Sequence, residues 1–144
     1  MLYSASSAIA DICCLYPPKS RRYIGTQEYY ILIETRPDRG FLLENSVLKD
    51  LRLALAPLHK LRFWRTKQGA EVDFVVIKEG TTLLPIEVKS QLNRPALSLG
   101  LRSFIEKFKP KRALLINLTI YNSEIKVGGT RIYFIHPFEL PKYL

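Results

Sequence analysis

The stretch GAEVDFVVIKEGTTLLPIEVKS, residues 69–90, decides the fold of this chain. It holds two apolar runs, EVDFVVI (71–77) and TLLPIEVKS (82–90), that have the composition of β-strands. Gly80 lies between them and marks a turn. The stretch therefore predicts a β-hairpin, and each of its strands carries charged residues that a core strand would not be expected to contain.

The charged residues of the hairpin are predicted to gather on one face, because side chains alternate across a strand. The apolar faces comprise Val72, Phe74 and Val76 on the first strand and Leu84, Ile86 and Val88 on the second. Asp73 is left on the other face of the first strand, and Glu87 and Lys89 on the other face of the second. Pairing about Gly80 would bring these three side chains together.

The flanking sequence predicts an α/β fold. Residues 41–56 and 96–108 have the apolar spacing of amphipathic helices, and further strands are predicted at 61–66, 112–120 and 131–138. Ahead of them we predict a short helix over 2–15, a loop over 15–27 and a strand over 28–34. Strands that are apolar on both faces imply a central mixed β-sheet with helices on both faces.

Composition favours one domain with no membrane-spanning segment. The chain has 144 residues, enough to bury a substantial core, and no apolar run approaches the roughly 20 residues that cross a bilayer. Its N-terminus lacks the basic start of a signal peptide and is interrupted by Asp11. Cys13 and Cys14 are adjacent and match no zinc-ligand spacing. We therefore expect an intracellular, cytoplasmic protein.

The net charge of +9, from 22 basic and 13 acidic residues, is unevenly distributed. Residues 67–94 are neutral, whereas residues 41–66 carry +3 and residues 95–144 carry +5. A basic body around a segment rich in acids fits a protein that meets a polyanion and places carboxylates at one point on it. The same charge also serves solubility alone, so composition leaves nucleic-acid binding open.

A third acid, Glu44, is predicted to approach the hairpin from the first helix. It lies four residues before Leu48 and seven before Leu51, which places it on the apolar stripe. A carboxylate on a buried stripe costs free energy unless it is paired or holds a cation. Alternatively, Glu44 reaches solvent near the start of the helix, where the helix dipole favours an acid.

Converging carboxylates suit a hard divalent cation such as Mg²⁺ or Mn²⁺. A bound ion lowers the pKa of a water molecule and neutralises charge on a scissile phosphate. Lys89 shares the strand face of Glu87 and is placed to stabilise developing charge. The alternative is a buried salt bridge of Glu87 with Lys89 or Asp73, which contributes little net stability.

This cluster resembles a nuclease signature. Asp73, thirteen residues and then Glu87-Val88-Lys89 is similar to the PD-(D/E)XK pattern, with Glu44 as the acid supplied by the preceding helix. The predicted order of helix, three strands, helix and strand also resembles the restriction-endonuclease-like core of that superfamily. The resemblance implies metal binding by Asp73, Glu87, Glu44 and the Val88 carbonyl. It also implies that Lys89 is catalytic, together with the three acids.

Longer phrases make the resemblance more specific. GFLLENSVLKDL (40–51), FWRTKQGAEVDFVV (63–76) and LLPIEVKS (83–90) closely resemble the C-terminal domain of uncharacterised function on many bacterial and archaeal AAA-type ATPases, itself PD-(D/E)XK-like. The resemblance covers residues 40–135 and implies an AAA-type ATPase as a partner. The chain has no G-x-x-x-x-G-K-[ST] phosphate loop, and Val72 stands where many PD-(D/E)XK signatures have proline.

Two functions follow for a chain divided into an N-terminal extension, residues 1–40, and a PD-(D/E)XK-like domain, residues 41–144. One is a metal-dependent nuclease that acts on DNA, rather than RNA, by phosphodiester hydrolysis. The other is a non-catalytic module of the same fold that binds nucleic acid or protein beside an AAA-type ATPase. Either is compatible with a homodimer.

Basic residues that flank the predicted cluster are candidates for phosphate contacts: Arg62, Arg65, Lys67 and Arg94. Phe63 and Trp64 lie among them and either stack on bases at the rim or are half-buried strand residues. His59 and His136 are predicted to be loop or surface residues rather than ligands.

Overall fold

A computed structural model describes the backbone of residues 2–4 and all of residues 36–144. Its strands are β1 Leu2–Ser4, β2 Lys60–Arg65, β3 Glu71–Lys78, β4 Thr82–Lys89, β5 Arg112–Asn117, β6 Ser123–Val127 and β7 Thr130–Ile135. Its helices are α1 Arg39–Ala54, α2 Leu99–Phe108 and a final 3-10 helix, Pro137–Lys142.

The described strands form one mixed sheet in the order β1-β2-β3-β4-β5-β7-β6. Strands β2, β3 and β4 make an antiparallel meander with β1 paired antiparallel to β2, strands β4, β5 and β7 run parallel, and β6 pairs antiparallel with β7. Helix α2 connects β4 to β5, because two parallel neighbours need a crossover connection rather than a tight turn. The parallel strands β4 and β5 therefore point their carboxyl ends to the same edge.

Each face of the sheet carries its own apolar core. Helix α1 packs on one face and contributes Leu43, Val47 and Leu51, all fully buried, to a cluster that also contains Ile86. Helix α2 belongs to the opposite cluster, which consists of Trp64, Val72, Val75, Leu101, Phe104, Ile105, Ala113, Leu115, Ile132 and Phe134. The predicted class, an α/β fold with a mixed sheet flanked by helices on both faces, is confirmed.

The apolar stripe of α1 differs from the predicted one. Leu43, Val47 and Leu51 are spaced by four and form the buried line, whereas Leu48 is only partly buried. Glu44 lies seven residues, about two turns, before the buried Leu51 and is itself partly buried. The prediction that Glu44 shares a stripe with Leu51 agrees with this burial, whereas Leu43 and Val47, rather than Leu48, complete the buried stripe.

The structure contains the predicted hairpin. Strands β3 and β4 pair antiparallel from Phe74 opposite Ile86 to the turn. The turn backbone has φ of 50° at Glu79 and 76° at Gly80, and the Thr81 N–H donates to the Lys78 carbonyl at 3.2 Å. Two consecutive positive φ angles match the twist of the flanking strands, which explains why glycine occupies the second position.

A β-bulge in β3 changes the predicted faces. Arg62 pairs with Val75 and Trp64 with Val72, so two steps along β2 correspond to three along β3. As a result Val72 joins the core under α2, while Phe74 packs against the core under α1. The prediction that Val72 and Phe74 share one face is wrong, because the extra residue breaks the alternation beside Asp73.

Differences also occur outside the hairpin. Leu2–Ser4 pair with β2 as a strand, which contradicts the predicted helix at those residues. The remaining predictions for residues 5–35, including the loop, the strand and the cysteine pair, lie outside the described residues. Strand β6 was not predicted. Among the described helices, none combines the length and the apolar composition that crossing a membrane requires.

Candidate functional site

Asp73 lies where the β3–β4 ladder ends. The last paired residues of this ladder are Phe74 and Ile86. One position further along β3, a side chain serves as the hydrogen-bond acceptor: the Oδ2 atom of Asp73 accepts a hydrogen bond of 2.7 Å from the Val88 N–H. The bulge frees Asp73 from regular pairing, and the side chain then ties the open end of β3 to β4.

Glu87 is the most buried acid of the cluster, with only 3% of its side chain exposed. Its Oε2 accepts a hydrogen bond of 2.7 Å from the Ser98 hydroxyl, and its Oε1 lies 3.1 Å from Lys89 Nζ. Lys89 follows on the same strand face and is about half exposed. Both oxygens of this buried carboxylate therefore have partners, as a buried charge requires.

Burial raises the pKa of Asp73 above its ordinary value. The hydrogen bond from the Val88 N–H and the charge of Lys89 act in the opposite direction, and the charges of Glu87 and Glu71 add to the rise. The net direction shows that the environment of Asp73 disfavours an uncompensated negative charge.

Burial also raises the pKa of Glu44, and the negative charge of Asp73 raises it further, while Lys89 lowers it. Glu44 and Asp73 also line one cleft, so α1 brings Glu44 near the start of β3. Burial alone would lower the pKa of Lys89, but the combined attraction of Glu87, Asp73 and Glu44 outweighs it, so the pKa is held above its ordinary value. Lys89 therefore pairs with Glu87 and lies within electrostatic range of Asp73 and Glu44.

Asp73 lines both of two neighbouring clefts. One, of about 270 Å³, opens toward α1 and β2 and is lined by Glu44, Arg65 and Glu71. The other, of about 360 Å³, opens toward the start of α2 and is lined by Glu87, Lys89, Ser98 and neighbouring residues. The predicted site residues are thus brought to one edge of the sheet and divided between two faces.

Within residues 36–144, no group of three or more His, Cys, Asp or Glu side chains is gathered closely enough to hold a metal ion by itself. Any cation here would rest on two carboxylates, Asp73 and Glu87, with water or a substrate oxygen completing its shell. Mg²⁺ tolerates this arrangement because it usually retains several waters. The Val88 carbonyl and Glu44 are the further oxygen donors that the sequence predicts.

The basic candidates differ in their relation to the clefts. Arg65 lines the cleft beside Glu44 and forms an ion pair of 2.8 Å with Glu71, with 65% of its own side chain exposed. Lys67 and Arg94 are exposed in the loops that follow β2 and β4. Arg62 is partly buried within β2 and donates to the Leu61 carbonyl at 3.0 Å.

The aromatic rim that the sequence suggested is not formed by Trp64. Its side chain is 2% exposed, and its ring meets Phe104 at 5.4 Å and Phe108 at 6.2 Å, both edge to face. It therefore belongs to the core under α2. His136 lies at the start of the 3-10 helix, and His59 lies just before β2. Both side chains are partly buried, and both residues are distant in sequence from Asp73 and Glu87.

Sequence reasoning missed Ser98, which touches the cluster directly. The predicted helix over 96–108 included Ser98 as an ordinary helical residue. In the structure α2 begins at Leu99, and Ser98 is its N-cap. The available signal was a serine directly before an apolar helical repeat and three residues after Pro95, a common start of a helix.

A protein-family model matches most of the chain. The family model described as "Domain of unknown function (DUF4143)" matches residues 39–137, from the first residue of α1 to the 3-10 helix. The chain belongs to this family. The DUF4143 match contains every residue of the acidic cluster and Ser98. No curated protein sequence matches the chain.

Among solved structures, the DUF4143 chain is similar to a chain in the half-complex of a tetradecameric assembly of Thermococcus gammatolerans McrB AAA+ hexamers with bound McrC. The TM-score is 0.53 and the sequence identity 16%, over 67% of this chain and 27% of the other. The present chain thus spans about a quarter of the length of that protein chain. At this identity the likeness shows a shared fold.

Proposed function

We propose that this DUF4143 chain is a restriction-endonuclease-like module that works with an AAA-type ATPase and binds nucleic acid or protein without cleaving it. The support is its fold likeness to a chain from the assembly of McrB AAA+ hexamers with bound McrC. The sequence resemblance to domains carried by AAA-type ATPases points the same way. Fold likeness is an analogy for function, so the proposal depends on a direct test of association.

The geometry of the cluster is compatible with a binding module. Glu87 has a partner for each oxygen, and Asp73 is tied to β4 through the Val88 N–H. These acids therefore help to close the end of the hairpin without any ligand. The net charge of +9 favours a polyanionic partner such as nucleic acid.

Reconstitution with a purified AAA-type ATPase from the same organism tests this proposal. We expect the chain to co-elute with the ATPase in size-exclusion chromatography and to change its rate of ATP hydrolysis severalfold. Nucleic-acid binding is measured in parallel by fluorescence anisotropy with labelled duplex and single-stranded DNA. Failure to associate with any McrB-type ATPase of that organism would contradict the proposal.

A second candidate function, metal-dependent hydrolysis of phosphodiesters in DNA, is favoured by one specific observation. Asp73, Glu87 and Lys89 converge at the open end of the β3–β4 hairpin, and Glu44 approaches from α1. The raised pKa values of Asp73 and Glu44 reflect burial first and then repulsion from neighbouring acids, which a divalent cation would relieve.

The donor set fits Mg²⁺ or Mn²⁺. Asp73 and Glu87 would hold the ion, the Val88 carbonyl could add a neutral oxygen, and Glu44 would act on a coordinated water. When bound, such an ion lowers the pKa of water and neutralises charge on the phosphate. Lys89 would orient the attacking water and stabilise the charge that develops on the phosphoryl oxygens.

Cleavage of supercoiled plasmid and of single-stranded DNA with Mn²⁺ or Mg²⁺ tests the second candidate. We expect activity in the unaltered chain and a loss of at least a hundredfold in Lys89→Ala and in Asp73→Ala, with circular dichroism showing that both variants fold. Lys126→Ala, at an exposed position of β6 away from the clefts, is the matched control and should retain activity. Turnover that survives in Lys89→Ala would exclude this mechanism.

A further inference from the structure

We propose that Ser98 is a positioning residue that fixes the direction of the Glu87 carboxylate and thereby sets the affinity of the site for a divalent cation. This inference rests on the cation site of the second candidate function. It adds a residue that the nuclease signature does not contain, on a helix that the signature does not reach.

The contact between Ser98 and Glu87 links two roles of one hydroxyl group. The Ser98 Oγ accepts a hydrogen bond of 3.0 Å from the Leu101 N–H, which caps α2. The same hydroxyl donates its proton to Glu87 Oε2 at 2.7 Å. Because the hydroxyl has only one proton and the cap uses a lone pair, the donor direction toward Glu87 is set by the cap.

The first turn of α2 is itself held in place by close packing. Gly100 lies against the backbone of Glu71 at the start of β3, and a Cβ at this position would come within 2.8 Å of the Glu71 nitrogen and closer still to its oxygen. The start of α2 therefore approaches β3 so closely that only a residue without a side chain fits at position 100. This close contact leaves the Ser98 hydroxyl little freedom to move away from β4.

Because the Ser98 hydrogen bond fixes Glu87 Oε2, it also determines which partners Glu87 Oε1 can have. With Ser98 on Oε2, the other oxygen, Oε1, lies 3.1 Å from Lys89 Nζ, and Glu87, Lys89 and Ser98 all line the cleft that Asp73 also lines. Oε1 is thus the atom available to a cation, and Lys89 is the group that holds it when no cation is present. Hydrogen bonds from partners that orient a ligand commonly alter metal affinity ten- to a hundredfold when they are removed.

Isothermal titration of the full chain with Mn²⁺ alone tests this role without relying on cleavage. Ser98→Ala and Ser98→Gly both remove the hydroxyl, and we expect Mn²⁺ affinity to fall at least tenfold in each. Ser98→Thr retains a hydroxyl and should bind within about threefold of the unaltered chain. The free energy of unfolding of each variant is measured by urea denaturation.

The three variants separate positioning from capping. Glycine is a tolerable N-cap whereas alanine is not, so a purely structural role predicts a larger loss of stability in Ser98→Ala than in Ser98→Gly and unchanged Mn²⁺ affinity in both. Unchanged affinity, or an equal loss in Ser98→Thr, overturns the inference and leaves the cation site standing. Absence of Mn²⁺ binding to the unaltered chain overturns the cation site and the inference together.

Discussion

At the scale of single residues, Asp73 combines burial with nearby acids, and this combination sets the sign of its effect on stability. Burial raises its folded pKa above the ordinary 3.8, so the folded chain binds more protons than the unfolded chain between these two pKa values. The free energy of unfolding therefore falls as pH rises through that window. The charged form of Asp73 costs stability at neutral pH.

We expect Asp73→Asn to raise the free energy of unfolding at neutral pH, because the amide keeps an acceptor for the Val88 N–H and carries no charge. The advantage should shrink as pH falls through the raised folded pKa and vanish below 3.8, where the aspartate becomes neutral in the folded and in the unfolded chain. Urea denaturation from acidic to neutral pH measures it.

Asp38→Asn is the matched control. The hydrogen bond and charge of Arg36 lower the pKa of that exposed carboxyl, so its contribution has the opposite sign. Loss of stability in Asp73→Asn at neutral pH would show that the aspartate charge is compensated better than its burial indicates.

The residue types and spacing of the cluster could be predicted from sequence because they lie on one hairpin with a clear turn. Asp73, Glu87 and Lys89 belong to one local hairpin. The alternation of side chains along β4 was enough to place Glu87 and Lys89 on the same face. The faces of β3 could not be predicted, because the bulge arises from pairing with β2, which the sequence of β3 alone does not encode. Leu48 was wrongly placed on the buried stripe of α1 because Leu43 and Leu48 offer competing apolar stripes.

At the scale of elements, the approach of α2 to β3 depends on Gly100. We expect Gly100→Ala to lower the free energy of unfolding by about 1–3 kcal/mol, because the new methyl group would overlap the Glu71 backbone and force the helix away. Urea denaturation measures the loss. A displaced helix would also carry Ser98 away from Glu87, so Mn²⁺ affinity should fall in the same variant.

Gly40→Ala is the control for Gly100→Ala. Gly40 lies in the first turn of α1, and a methyl group added there would have no atom within 4 Å, so alanine should raise stability by up to about 1 kcal/mol. If both substitutions stabilise the chain, α2 has room to move and the close packing at Gly100 does not fix it.

The elements with a strong apolar pattern were predicted, whereas the edge strand β6 was not. Helices α1 and α2 and strands β3, β4 and β5 each bury several apolar residues. Strand β6 lies at the edge of the sheet, and only Ile125 and Val127 pack against the core from it. Two such residues are too few to identify a strand in the sequence. Trp64 could be assigned to a strand, but its burial depends on Phe104 and Phe108 of α2, which are distant in sequence.

At the scale of the whole molecule, Lys67 and Arg94 are exposed in the loops at the end of the sheet that carries the clefts, and they are the candidates there for contacts with phosphates. If Lys67 and Arg94 contact phosphates, the double variant Lys67→Gln, Arg94→Gln should bind DNA more weakly and reduce the slope of log affinity against log salt by about two. Fluorescence anisotropy at several salt concentrations measures the slope.

The control is Lys126→Gln, Arg131→Gln, which removes the same net charge from the opposite edge, at β6 and β7. Its salt slope should equal that of the unaltered chain. Equal effects of the two double variants would mean that DNA contacts are spread over the molecule and do not mark the clefts.

The order of elements along the chain also bears on how the cluster assembles during folding. Residues 73–89 form a local hairpin, and such hairpins form in about 1–10 μs, whereas the parallel pairing of β4 with β5 must wait for the crossover helix. Asp73, Glu87 and Lys89 would therefore meet while still hydrated. We expect water to be excluded from them when α1 and α2 dock, so the unfavourable electrostatic work falls after the hairpin has formed.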